Sequence, residues 1–134
     1  MTPAIERRLL QIAVAAASIV PLSMGTLSVL RSADVLRGVD HPLPIDLDSH
    51  FRYLSGLLLG IGIAFVTAIP TVEARGTLFR TLGFVIVVGG LARLLSLLQA
   101  GVPGLGHLFG LAMELAVVPL IVIWQARVER LCRA

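Results

Sequence analysis

Apolar residues along this chain gather into four long runs divided by short polar interruptions. They extend from Leu9 to Leu30, from His50 to Ile69, from Thr81 to Gln99 and from His107 to Gln125. Each is about 20 residues long, the length an α-helix needs to cross a ~30 Å hydrocarbon layer at ~1.5 Å per residue. Backbone groups in hydrocarbon must satisfy one another, and a helix does this within its own segment. The pattern therefore predicts an all-α fold, a four-helix transmembrane bundle forming one integral-membrane domain over residues 1–134. Its spans lie at about 9–30, 50–69, 81–99 and 107–125, with an outer loop at 31–49.

Local signals refine this outline. Thr2 caps the first turn, with Pro3 at a tolerated first-turn position. Arg7 and Arg8 followed by an apolar stretch and Ala15-Ala16-Ala17 also resemble a cleavable signal peptide, but the run continues well past that site, which favours an uncleaved span. Pro21 removes a hydrogen bond to the Ala17 carbonyl and predicts a kink, with Ser18 or a neighbouring helix serving the freed group. In the loop, Pro42 and Pro44 oppose a continuous helix and predict a short turn followed by extended chain. Asp48 or Ser49 caps the second span, which Pro70 ends. Gly56 and Gly60 form a GxxxG that predicts close approach of another backbone, including a homo-oligomer formed through this face. Arg52 and Tyr53, one turn inside the span, can reach the interface by snorkelling. Residues 71–80 and the neutral GVPGLG at 101–106 read as turns. Pro119 predicts a second kink one turn from Glu114.

Composition agrees with the pattern. Hydrophobic residues make up 57% and charged residues 14%, where a soluble domain carries about a quarter charged; mean hydropathy is +0.94. All 11 basic residues are arginine and the net charge is +3, yet they gather at span ends, leaving no basic face for nucleic acid. Arg7, Arg8, Arg75, Arg80, Arg127, Arg130 and Arg133 outnumber Arg31 and Arg37 on the other side. The positive-inside rule then predicts cytoplasmic N- and C-termini in a multi-pass protein of the cell inner membrane. Cys132 stands alone and ends no lipidation motif. Asp40-His41 with Asp46 and Asp48 matches no metal-ligand spacing, so no metal site is expected, and no P-loop, dinucleotide fingerprint, nucleophile elbow or zinc motif occurs that would imply a cofactor or an established chemistry.

The candidate chemistry centres on Arg93. An arginine deep in an apolar run costs about 2.5–3.5 kcal/mol on insertion scales and cannot shed its proton, so it needs a partner. Glu114 is the acidic residue well inside another run. Arg93 lies about 12 residues up the third span, ~18 Å from the inner edge and ~12 Å from the outer one. Glu114 lies about 8 residues down the fourth, also ~12 Å from the outer edge. His107 shares the Glu114 face and Ser96 the Arg93 face, while His50, Arg52 and Tyr53 enter from the outer end of the second span. Together they would line an outward-opening polar pocket. Two arginines against one glutamate leave a local charge of about +1, suited to a lipid head group or small anion. The alternative is an ion pair that only orients helices.

DSHFRYLSGLLLGIG (48–62), GGLARLLSL (89–97) and MELAVVPLIVIWQARV (113–128), with RRLLQIAVA and PLSMG near the start, resemble the bacterial family catalogued as domain of unknown function 4345. The resemblance implies a small four-span membrane protein and carries no established activity. Three functions compete. The first is a non-catalytic binding or accessory protein with membrane lipid as partner. The second is a small membrane enzyme, such as a lipid isomerase using Glu114 and His107 as acid and base. The third is a transporter subunit, for which the chain is small and lacks a clear inverted repeat.

Overall fold

The structure, a computed structural model describing residues 2–36 and 38–133, is all-α, with four helices long and apolar enough to cross a membrane: Pro3–Val35, Ile45–Ala74, Gly76–Ala100 and Leu105–Arg133. Arg37, counted above among the outer charges, lies outside the described residues. Helix α1 (Pro3–Arg31) opens as its sequence suggests, the Thr2 carbonyl accepting from the N–H groups of Ile5 (3.0 Å) and Glu6 (3.1 Å), with Pro3 at the first helical position. Pro21 lies within it. Ser18 does not relieve the proline, because its Oγ donates to the Val14 carbonyl at 2.8 Å rather than to Ala17.

Helices α2 (Ile45–Ala68) and α3 (Gly76–Ala100) begin earlier than expected. Neither Asp48 nor Ser49 caps α2. Pro44 occupies that position, and Asp48 sits inside the first turn, where its charge complements the helix N-terminus. The turn anticipated at 71–80 is shorter, with 3₁₀ structure over Ile69–Ala74 and α3 starting directly after Arg75. Past the GVPGLG turn come α4 (Leu105–Ala112), a π-helical segment (Met113–Val117) and α5 (Val118–Arg133). The helices outrun the apolar stretches because charged residues at their ends pair one turn apart, Asp48 with Arg52 and Glu129 with Arg133. The loop after α1 holds a 3₁₀ turn at Ser32–Val35, and its described residues from 38 to 44 are not helical, in keeping with Pro42 and Pro44.

The chain forms two compact units, Ile12–Pro70 and the pair of segments Met1–Gln11 with Thr71–Ala134. In the first, close helix approach occurs at Gly25, where an added Cβ would lie 2.9 Å from both the Cβ and the backbone N of Leu59. Gly62 sits similarly against Pro21 and Leu22, at 3.2 Å from each. Gly56 and Gly60 do not serve this purpose within the chain, since a Cβ on either meets nothing within 4 Å. The GxxxG spacing was real, but the face that packs is the one bearing Gly62.

In the other unit, α3 carries glycines at heptad spacing, Gly76, Gly83 and Gly90. A Cβ on Gly83 would be 2.6 Å from Val122 Cγ2, one on Gly90 would be 2.7 Å from Leu115 Cδ2 and 2.9 Å from Glu114 Cβ, and one on Gly76 would run into the Glu129 carboxylate. The partners Glu129, Val122 and Leu115 descend by the same heptad step. This register is that of two antiparallel helices meeting along one seam. Phe79, Val72, Leu10 and Val128 are fully buried in this unit.

Candidate functional site

Arg93 and Glu114 meet on the α3 seam. Arg93 Nε donates to Glu114 Oε2 at 2.9 Å and Nη2 to Oε1 at 3.0 Å, a bidentate fork. Gly90, one turn before Arg93, presses on Glu114 Cβ and Leu115, so the backbones are close enough for the side chains to reach each other. Gly110 lies beside the guanidinium, an added Cβ there falling 3.7 Å from Arg93 Cζ. The pair is partly open, with 35% of the Arg93 side chain and 20% of the Glu114 side chain exposed. Arg93 Nη1 makes no hydrogen bond among the described residues.

Glu114 stands in the π segment, whose cause is Pro119. In an α-helix the proline ring would collide with the Leu115 carbonyl four residues back. Lengthening the turn relieves the collision, and the Val118 N–H accordingly donates to the carbonyl of Met113, five residues back. The kink expected here is thus a one-turn π-helix that contains the acidic residue.

The remaining sequence candidates are placed differently. Ser96 and His107 belong to the same unit and are exposed, and their side chains make no hydrogen bond among the described residues. His50, Arg52 and Tyr53 belong to the other unit, and all are exposed. Arg52 is neither snorkelling freely nor available as a second cation. Its Nε and Nη2 hold Asp48 at 2.9 and 3.1 Å, and Nη1 donates to the Val29 and Leu30 carbonyls at 2.6 and 3.2 Å. It ties the orphan carbonyls at the end of α1 to the first turn of α2.

A second polar cluster escaped sequence reasoning. Glu6 is buried and accepts both arms of Arg127, at 3.0 and 2.8 Å, and Arg7 Nε reaches Glu73 at 2.7 Å. Gln125 is fully buried, donating from Nε2 to the Val72 carbonyl at 3.0 Å. The charged members of this cluster lie outside the apolar runs, where sequence alone assigns arginine to topology. Among the described residues no group of three or more His, Cys, Asp or Glu side chains could hold a metal ion.

Four membrane-length helices, with an ion pair within the apolar part of two of them, define a small multi-pass membrane protein. The chain belongs to the family described as domain of unknown function DUF4345, whose family model matches residues 9–125. No curated protein and no solved structure matches it. The match takes in Arg93, Glu114 and the π segment and ends before Arg127, so the Glu6–Arg127 contact involves residues on both sides of it.

Proposed function

We propose that this protein is a non-catalytic binding or accessory protein of the cell inner membrane, with both termini cytoplasmic, and that the Arg93–Glu114 level holds the polar part of a membrane lipid. The observation that carries this reading is the bidentate fork with its unused Nη1. Glu114 fixes the guanidinium plane, and a free N–H edge remains on a side chain that is partly open. The same fork speaks against acid–base chemistry. Both Glu114 oxygens accept from Arg93, and His107 makes no bond to either, so neither is poised to move a proton on a substrate. The open face at Gly56 and Gly60 leaves room for a second copy of the chain.

Native mass spectrometry of the detergent-purified protein is expected to show a retained lipid. Glu114→Gln should keep it, because the amide oxygen still accepts from Arg93, whereas the double variant Arg93→Leu, Glu114→Leu should lose it. Equal retention by the double variant would overturn the reading. Orientation is checked in cells on a Cys132→Ser background: Asp40→Cys should react with an impermeant thiol reagent from outside and Arg75→Cys only after permeabilisation. Labelling of the second from outside would invert the topology.

A further inference from the structure

The arginines gathered where α1 begins and α5 ends differ in what they face. The Glu6–Arg127 and Arg7–Glu73 pairs, with the Gln125–Val72 hydrogen bond, draw three segments of one unit together: the first turns of α1, the 3₁₀ turn around Val72 and the last turns of α5. The carboxylates there are all engaged, Glu6 by Arg127, Glu73 by Arg7, and Glu129 by both Arg80 and Arg133. Arg8, Arg75 and Arg130 meet no carboxylate among the described residues. Arg75 Nε donates to Thr71 Oγ1 at 3.0 Å and Arg130 Nε to the Ala126 carbonyl at 3.2 Å, both neutral acceptors, and the Arg8 side chain makes no hydrogen bond among the described residues. All three are exposed, and each lies within one turn of a residue held in the cluster. A count of basic residues orients a span whether or not each charge is paired. Guanidinium groups left over after pairing are a separate feature, a surface that attracts anions.

The neighbours of these arginines identify the source of the anion. Ile5, Arg8 and Leu9 follow the three-and-four spacing of one helix face, and Ile5 and Leu9 are 49% and 41% exposed. Ile123, two turns before Arg130 on the same face of α5, is 65% exposed. A soluble anion or a nucleic acid would leave these apolar side chains in water. A phospholipid answers both features, its acyl chains covering the isoleucine and leucine side chains and its phosphate meeting the guanidinium at the end of the arginine stem. Trp124, half-buried in the same turns of α5, is the residue type that gathers at head-group level. A zwitterionic head group would bring an ammonium against guanidinium groups that are already uncompensated. The fit is therefore to a head group of net negative charge.

We propose that Arg8, Arg75 and Arg130 form a surface that binds the phosphodiester of anionic phospholipids, separate from the Arg93–Glu114 level. A lipid held by charge on an open surface exchanges with the bilayer, unlike one retained through purification. The test uses fluorescence of Trp124, the single tryptophan of the chain. It lies ~15 Å along the helix from Glu114, so it reports on this surface and not on the Arg93 pair. The protein is reconstituted in phosphatidylcholine vesicles carrying equal fractions of either phosphatidylglycerol or phosphatidylcholine with brominated acyl chains, and quenching gives their relative association. The unmodified protein should favour phosphatidylglycerol about fivefold, the fold-change of the ~1 kcal/mol that an arginine near a membrane surface supplies. The variant Arg8→Gln, Arg75→Gln, Arg130→Gln leaves every arginine–glutamate pair intact and should bring the ratio close to one. Raising the salt to ~1 M, where the screening length falls to ~3 Å, should do the same to the unmodified protein. Arg31→Gln, at the other end of α1, should leave the preference unchanged. Equal quenching by the two lipids, a preference that the triple variant keeps, or one that Arg31→Gln abolishes overturns the proposal, and none of these results bears on the lipid at Arg93. Should the triple variant fail to fold, the salt dependence of the unmodified protein decides.

Discussion

Glu114→Leu is expected to destabilise the protein by about 3–5 kcal/mol, the cost of stranding one member of a desolvated pair. The size follows from the partner left behind. A guanidinium cannot become neutral, and Arg93 has no second carboxylate within reach, its bonds being to Glu114 alone. Arg93→Leu should cost less, since a stranded carboxylic acid can discharge by binding a proton. Glu114→Gln should cost least of the three, because its amide oxygen still accepts one of the two Arg93 bonds. The double variant Arg93→Leu, Glu114→Leu should recover stability above Glu114→Leu, with no charge left in hydrocarbon. Unfolding in mixed detergent for all the variants gives the cycle. Strictly additive losses from the two leucine changes would mean that the pair contributes no coupling. Retained lipid provides the second axis: a double variant that is stable but empty marks the pair as part of a site, and one that is stable and still loaded marks it as a device that only orients helices.

The pair was legible in the sequence because burying a charge in a membrane has few solutions. One arginine and one glutamate in consecutive apolar runs, at matching depth across a short turn, leave little choice of partner. The four helices were legible for the same reason, since length and apolarity are all that a span requires. What stayed hidden depended on which face of a helix meets which neighbour. Gly56 and Gly60 match a packing motif, but the motif does not say whether its face meets this chain, and here Gly62 and Gly25 carry the contact. The heptad of Gly76, Gly83 and Gly90 was visible as spacing, yet Gly76 lay in an expected turn, so the seam looked too short to notice. Arg52 looked like a free cation because its acceptors, the Val29 and Leu30 carbonyls, are backbone atoms that no side-chain pattern reveals. The Glu6–Arg127 contact joins nearly opposite ends of the chain, where many arginines could have been the partner.

Gly25→Leu should be the most damaging single change in the Ile12–Pro70 unit, lowering stability by about 1–3 kcal/mol or more through overpacking. The obstacle is not a movable side chain. The first added carbon would already lie 2.9 Å from the Leu59 backbone N and 3.0 Å from its Cα, so α1 and α2 must part before the rest of the leucine is accommodated. Separation from glycine-allowed contact to an ordinary ~8–10 Å axial distance forfeits the dispersion contacts that hold helices together where no hydrophobic effect operates. Gly60→Leu is the control, with open space around its Cβ, and should change stability by less than about 0.5 kcal/mol. Thermal unfolding in detergent compares the two, and equal losses would show that Gly25 is not where these helices meet. The control also reports on assembly. A Gly60→Leu melting temperature that falls below that of the unmodified protein only as protein concentration rises would mean that this face is occupied by a second copy, because mass action stabilises a dimer and leaves a monomer unaffected.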